Sequence, residues 1–146
     1  MKQLLLVCGL AALAISCNGG DESGRGAAEA FLDAHYVRID LDAARNVTSG
    51  LALSKIEKEL ALTDQIAIAQ DTLKPRINYA LETARESEDR GQYAYTLTIR
   101  APGLEPFTKL VTVSVRRGDG SWSVTNYTEG DPALDAGSSG RPASDR

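Results

Sequence analysis

The apolar positions first recur at helical spacing. In "AAEAFLDAHYVRI", from residue 27, Ala28, Phe31, Leu32, His35, Tyr36 and Ile39 fall on one side. Glu29, Asp33 and Arg38 fall mostly on the other, which predicts an amphipathic helix. In "DLDAARNVTSG", Asp40 or Asp42 can cap a short helix bearing Leu41, Ala44 and Val47, with Gly50 to end it. A third helix is expected from about Leu51 or Ser54 to Leu73. Leu53, Ile56 and Leu60 form one stripe, and Leu62, Ile66, Ala69 and Leu73 form another, so this helix either bends or is buried over a wide arc. Pro75 closes it and biases Lys74 away from helix.

From Arg76 the period falls to two. Ile77, Tyr79 and Leu81 alternate with polar or small residues, and "SEDRGQ" turns the chain. Tyr93, Tyr95, Leu97 and Ile99 alternate with Ala94, Thr96, Thr98 and Arg100. After "APGLEP", Phe107, Val111, Val113 and Val115 share one face, with Lys109 among them. "GDG" at 118–120 marks a hairpin, and Trp122 and Val124 alternate onward to about Tyr127. Four strands with short links read as an antiparallel meander with one apolar and one Thr-rich face. The helices must cover the apolar face, so the fold class is α+β: N-terminal helices packed on a curved four-stranded sheet.

The two ends behave differently. Lys2 precedes an apolar run from Leu4 to Ile15, the length of a secretory h-region and too short to span a membrane comfortably. Residues 1–16 therefore read as a signal peptide. "LAISC", ending on Cys17, resembles a bacterial lipobox. That resemblance implies cleavage before Cys17, a diacylglyceryl group on its thiol and an acylated amino terminus. One chain anchors only marginally, whereas two or three hold firmly. In enteric bacteria an Asp after the cysteine favours the inner membrane; Asn18 leans instead towards the outer one. Residues 17–26, rich in glycine, read as a flexible tether, 27–129 as a single domain, and 130–146 as a disordered tail.

Composition narrows the chemistry. Removing the first 16 of 146 residues leaves 130, enough for one core. Loss of Lys2 takes the net charge from −4 to about −5, and no basic stripe suggests nucleic acid. Of the two cysteines, Cys8 leaves with the signal and Cys17 is capped, so disulfides, thiol catalysis and thiolate metal sites drop out. With one histidine and no calcium-type loop, neither a metal site nor a cofactor is expected.

The opening helix with its Asp-Ala-Ala turn, "AAEAFLDAHYVRIDLDAARNVTSGLA", and the closing "GDGSWSVTNYTE" make residues 27–129 resemble the NTF2-like superfamily. Within it, the chain is similar to small bacterial lipoproteins of uncharacterised function. The resemblance implies a cone-shaped α+β roll with a hollow between sheet and helices. Some members are enzymes, and many bind a ligand or partner. Tyr36, Tyr79, Tyr93, Tyr95 and Trp122 are candidates to line a pocket, Tyr93 and Tyr95 first among them, although ordinary core positions explain most of them.

In NTF2-like dehydratases and isomerases a His–Asp pair does acid–base chemistry, so the resemblance makes His35 the catalytic candidate. No acidic residue can be placed beside it from sequence, and Asp33 points elsewhere on the helix. The leading expectation is a non-enzymatic, lipid-anchored envelope protein that binds a small ligand or an envelope partner. A pocket enzyme using His35 is the alternative, and a sheet-mediated homodimer stays open.

Overall fold

The computed structural model describes residues 22–63 and 74–132. The signal peptide, Cys17, Ile66, Ala69 and Leu73 of the second stripe of the expected third helix, and the chain beyond 132 lie outside the described residues; Leu62 of that stripe is exposed.

Ser23 caps the first helix, α1 (Gly24–Leu32), its Oγ accepting from the Gly26 N–H at 2.9 Å. The helix thus starts three residues ahead of the expected domain boundary at 27. The entry is anchored by packing, since a Cβ on Gly24 would fall 2.8 Å from the Tyr93 hydroxyl, with Val115 and Trp122 also close by.

The chain does not stay α-helical to Ile39. A π-helical turn occupies Asp33–Arg38 and ends at Ile39, whose φ of 55° lies in the left-handed region that a β-branched residue rarely enters. The N–H groups of Ile39 and Asp40 both donate to the Ala34 carbonyl. Asp40 then caps α2 (Leu41–Asn46), accepting from the Ala43 N–H at 2.9 Å.

Gly50 does not end that helix as expected. With φ of +56° it opens α3 (Gly50–Thr63). Between the two helices, Thr48 bridges in parallel to Val124, so the segment runs beside the last strand. The Val124 N–H donates to the Val47 carbonyl, and the Ser49 N–H to the Val124 carbonyl.

Strands β1 (Arg76–Glu86), β2 (Arg90–Arg100), β3 (Phe107–Gly118) and β4 (Ser121–Gly130) form an antiparallel sheet in sequential order. Asp119 and Gly120 both take positive φ at the β3–β4 turn, as a tight two-residue hairpin requires. Two bulges break the alternation. In β1 the register slips between Leu81 and Thr83. In β4 Thr125 is the surplus residue, because Asn126 faces Ser114 while Val124 faces Val115. Val124 and Tyr127 therefore both point inward, and Glu129 follows them.

Phe31, Leu32, Ile56, Tyr93, Tyr95, Leu97, Val111, Val113 and Val124 are sealed between helices and sheet. Each such side chain contributes about 1.5–3 kcal/mol on burial. The expected hollow is filled along most of its length by these residues, so Tyr93 and Tyr95 are core rather than pocket. Phe107, expected on the buried column, stands 48% exposed at the open end of the sheet.

Candidate functional site

Polar groups collect where α1, α3 and the ends of β3 and β4 converge. The π-turn supplies His35 and Tyr36, α3 supplies Glu59, β3 supplies Lys109, and β4 supplies Tyr127 and Glu129. Two hydrogen-bonded groups result. In the first, Glu59 takes His35 Nε2 on one oxygen and the Tyr127 hydroxyl on the other, each at 2.7 Å. In the second, Glu129 accepts from the Tyr36 hydroxyl at 2.6 Å and from Lys109 Nζ at 2.7 Å. Lys55, one turn before Glu59, donates to the Tyr127 carbonyl and to Asn126 Oδ1, and lies over the Tyr127 ring.

Rings clamp His35. Phe31 stacks on it at a centroid distance of 5.2 Å, Tyr36 meets it edge-on at 4.4 Å, and Tyr127 tilts against it at 5.3 Å. An ionised carboxylate can only accept, so His35 Nε2 carries the hydrogen shared with Glu59. The other nitrogen, Nδ1, is closed from solvent and has no hydrogen-bond partner among the described residues. In a catalytic dyad the second ring nitrogen faces the substrate; here it faces protein.

The pocket-facing polar group is instead Glu59, whose side chain is 39% exposed against 9% for His35. It borders a cavity of about 380 Å³ walled by Ile39, Leu41, Leu62 and Ile77, with Tyr36 at its edge. Burial and then the bond to Glu129 push the Tyr36 phenol well above its ordinary value of 10. Burial and then the bond to Glu59 do the same for Tyr127. Burial raises the Glu129 carboxyl, but the bonds from Lys109 and Tyr36 and the Lys109 charge outweigh it and hold the group below its ordinary range.

The aromatic candidates divide. Tyr36 reaches the cavity and His35 forms its inner wall. Tyr79 lies half-buried on β1, bonded to Asp33 at 3.1 Å, its phenol pushed up to about 12 by burial and then by Asp33. Tyr93 is buried and donates to Glu86 at 2.8 Å. Tyr95 is buried, its hydroxyl without a hydrogen-bond partner among the described residues and its ring edge-on to Tyr79. Trp122 borders a separate cavity of about 240 Å³ beside Gly26 and Val47. Sequence reasoning missed Glu59, which sits three residues after buried Ile56 on the same helix face. It missed Glu129 because the Thr125 bulge reverses the alternation. Among the described residues no group of three or more His, Cys, Asp or Glu could hold a metal ion.

No family model and no curated protein matches the chain. Solved structures do match. A putative calcium/calmodulin-dependent protein kinase type II association domain from Thiobacillus denitrificans is 13% identical at a TM-score of 0.57, covering 72% of this chain and 91% of that one. A variant named Rd1NTF2_05 is 13% identical at 0.52, covering 73% and 95%. The intermembrane space region of the chloroplast protein ARC6 is 15% identical at 0.51, covering 73% and 95%. The domain has the NTF2-like fold. In this NTF2-like cone the core fills the narrow part and the polar cluster lies at the open end. Among the described residues no helix is long and apolar enough to cross a membrane.

Proposed function

We propose that this is a lipid-anchored protein of the bacterial cell envelope, held through Cys17, whose NTF2-like domain binds a small ligand at its open end without transforming it. One observation carries the ligand reading. Glu59 is held by two donors, His35 and Tyr127, and borders an apolar cavity with part of its carboxylate exposed. Such a site favours a molecule with an apolar body and a donor or cationic tip, and a volume of about 300 Å³ or more suits a small ligand. The occurrence of this fold in an intermembrane space region, that of ARC6, is in keeping with an envelope setting.

A direct test uses hexylamine, hexanol and hexanoate as probes. Amide shifts at Ile39 and Leu62 should move most with hexylamine and least with hexanoate, and Glu59→Gln should flatten that order. Equal response to all three, or none, overturns the ligand reading. Mass spectrometry of the native protein should find the signal removed and Cys17 carrying a diacylglyceryl group; an unmodified Cys17 overturns the anchor.

The 2.7 Å pair of His35 and Glu59 is the observation that favours the acid–base enzyme reading. The shielded Nδ1 opposes it. Turnover of a carbonyl-containing substrate that disappears in His35→Ala, with folding retained, would replace the binding reading with the enzymatic one.

A further inference from the structure

The opposite end of the sheet carries a further concavity, of about 520 Å³, on the outer face. Arg85, Arg90 and Arg116 line it together with Gln92, Ser114 and Thr125. The register explains why they meet. Arg85 lies opposite Gln92, Gln92 opposite Ser114, and Arg90 directly opposite Arg116, so three strands contribute to one patch. The Thr125 bulge falls at its rim, and the Thr125 hydroxyl donates to the Ser114 carbonyl at 3.2 Å, which ties the bulge to β3. Bulges re-aim side chains at sites of this kind.

The positive charge here is only partly offset from within. Among the described residues Arg85 and Arg116 make no ion pair, and Arg90 has only its neighbour Asp89 at 3.8 Å. Glu86 also borders the concavity; the Tyr93 hydroxyl bonds to one of its oxygens and leaves its negative charge in place, so three guanidinium groups stand against one carboxylate in the lining. Like charges directly opposite one another destabilise a strand pair. Opposition alone does not make a site, since Arg76 and Arg100 also face each other and line none of the cavities described. What distinguishes Arg85, Arg90 and Arg116 is that they converge on one concavity with hydroxyl and amide groups between them.

We propose that this concavity binds a phosphoryl group. Guanidinium groups match two phosphate oxygens at once, and Gln92 and Ser114 add neutral donors. Two sources share this chemistry, a soluble phosphate and the headgroup of a phospholipid. The headgroup source rests on the anchor proposed above; phosphoryl binding does not. Gly24 packs against Val115 and Tyr93, so the chain enters the domain at this same end. Cys17 lies seven positions earlier, a reach of at most about 25 Å. A lipid on Cys17 would keep the concavity within range of the headgroups.

The test uses the full chain in phosphate-free maltoside micelles, read by amide shifts of Gln92, Ser114 and Thr125. The probes are inorganic phosphate, pyrophosphate, acetate, and micelles doped with short-chain phosphatidylglycerol or phosphatidylcholine. Saturable shifts with a phosphoryl probe are expected, weakened about tenfold or more in the Arg85→Gln/Arg116→Gln double variant. The Arg76→Gln/Arg100→Gln variant, which removes the same charge elsewhere, should bind as the parent does. Saturation by inorganic phosphate or pyrophosphate assigns a soluble source, and saturation only by a doped micelle assigns the headgroup. No saturable shift, equal loss in both double variants, or acetate as effective as phosphate overturns the site. An unmodified Cys17 together with phosphate saturation removes the anchor and leaves the site standing; a lipidated Cys17 without phosphoryl binding does the reverse.

Discussion

His35 and Glu59, 24 positions apart, share a 2.7 Å hydrogen bond that joins the π-turn to α3. The Tyr127 hydroxyl donates to the carboxylate's second oxygen, so one residue of α3 ties both the π-turn and the last strand. Its length is ordinary for an N–H donor on a carboxylate, and rings pack against the imidazole on three sides.

Replacing Glu59 by Ala strands two donors at once, the His35 N–H and the Tyr127 hydroxyl. The expected loss is about 1–3 kcal/mol, near the lower end because the carboxylate is partly wet. Glu59→Gln keeps one acceptor oxygen and should cost less. Urea unfolding with an unchanged m-value checks the order; Gln as costly as Ala would contradict it.

Glu129 predicts the acid limb of the stability curve. Its carboxyl is held below the ordinary 4.5 in the folded protein by Lys109 and Tyr36 acting against burial. The unfolded chain then binds more protons as pH falls, so the stabilisation is complete above about 4.5 and fades as pH drops through the folded value. Lys109→Met removes the bonded cation and should shrink the stability difference between pH 6 and pH 3. Denaturation midpoints at the two pH values measure it, and an unchanged difference would exclude the account.

Four phenols give the alkaline limb. Tyr36, Tyr79, Tyr95 and Tyr127 are all raised, in each case first by burial. A raised folded value means stability is whole below about pH 10, the unfolded phenol's value, and is lost as pH rises through the folded values. Phenolate absorbance near 295 nm should therefore appear at higher pH in the native protein than in urea. Superimposable titrations would count against the burial of these side chains.

Gly91 sits where a Cβ would fall 2.7 Å from the Tyr93 ring. That ring is sealed in the core, so it cannot swing away cheaply. Gly91→Ala should cost about 1–3 kcal/mol by overpacking, seen as a lower urea midpoint. Gly118→Ala, at a position with nothing within 4 Å, is the matched control and should leave the midpoint close to the parent's.

Much of the fold was legible because single periods ran long enough to read. Phe31 and Leu32 kept helical spacing, Tyr93 to Ile99 kept strict alternation, and the Asp-Gly turn declared its hairpin. The misreadings lie where a period is interrupted. The π-turn changes the helical spacing after Leu32, and Ile39 leaves the helix through a backbone region its sequence gives no reason to expect. Gly50 suits a helix start as readily as a stop. The Thr125 surplus turned Glu129 inward, and no local pattern announces a bulge of that kind. The site was harder still. Its charged members come from α3, β3 and β4, and only tertiary folding brings Glu59 to His35. A carboxylate one turn from buried Ile56 was the available signal.

The π-turn at Asp33–Arg38 has a consequence for how such a domain can change. A helix absorbs a surplus residue as one wide turn while the stretches on either side keep their phase. Dropping one residue here would let the backbone close to an ordinary helix with Phe31 and Leu32 still seated against the sheet. The presentation of His35 and Tyr36 would go, together with the part of the core that Ala34 and Tyr36 fill. A change of length within these six residues would thus reshape the open end while Phe31 and Leu32 keep their places.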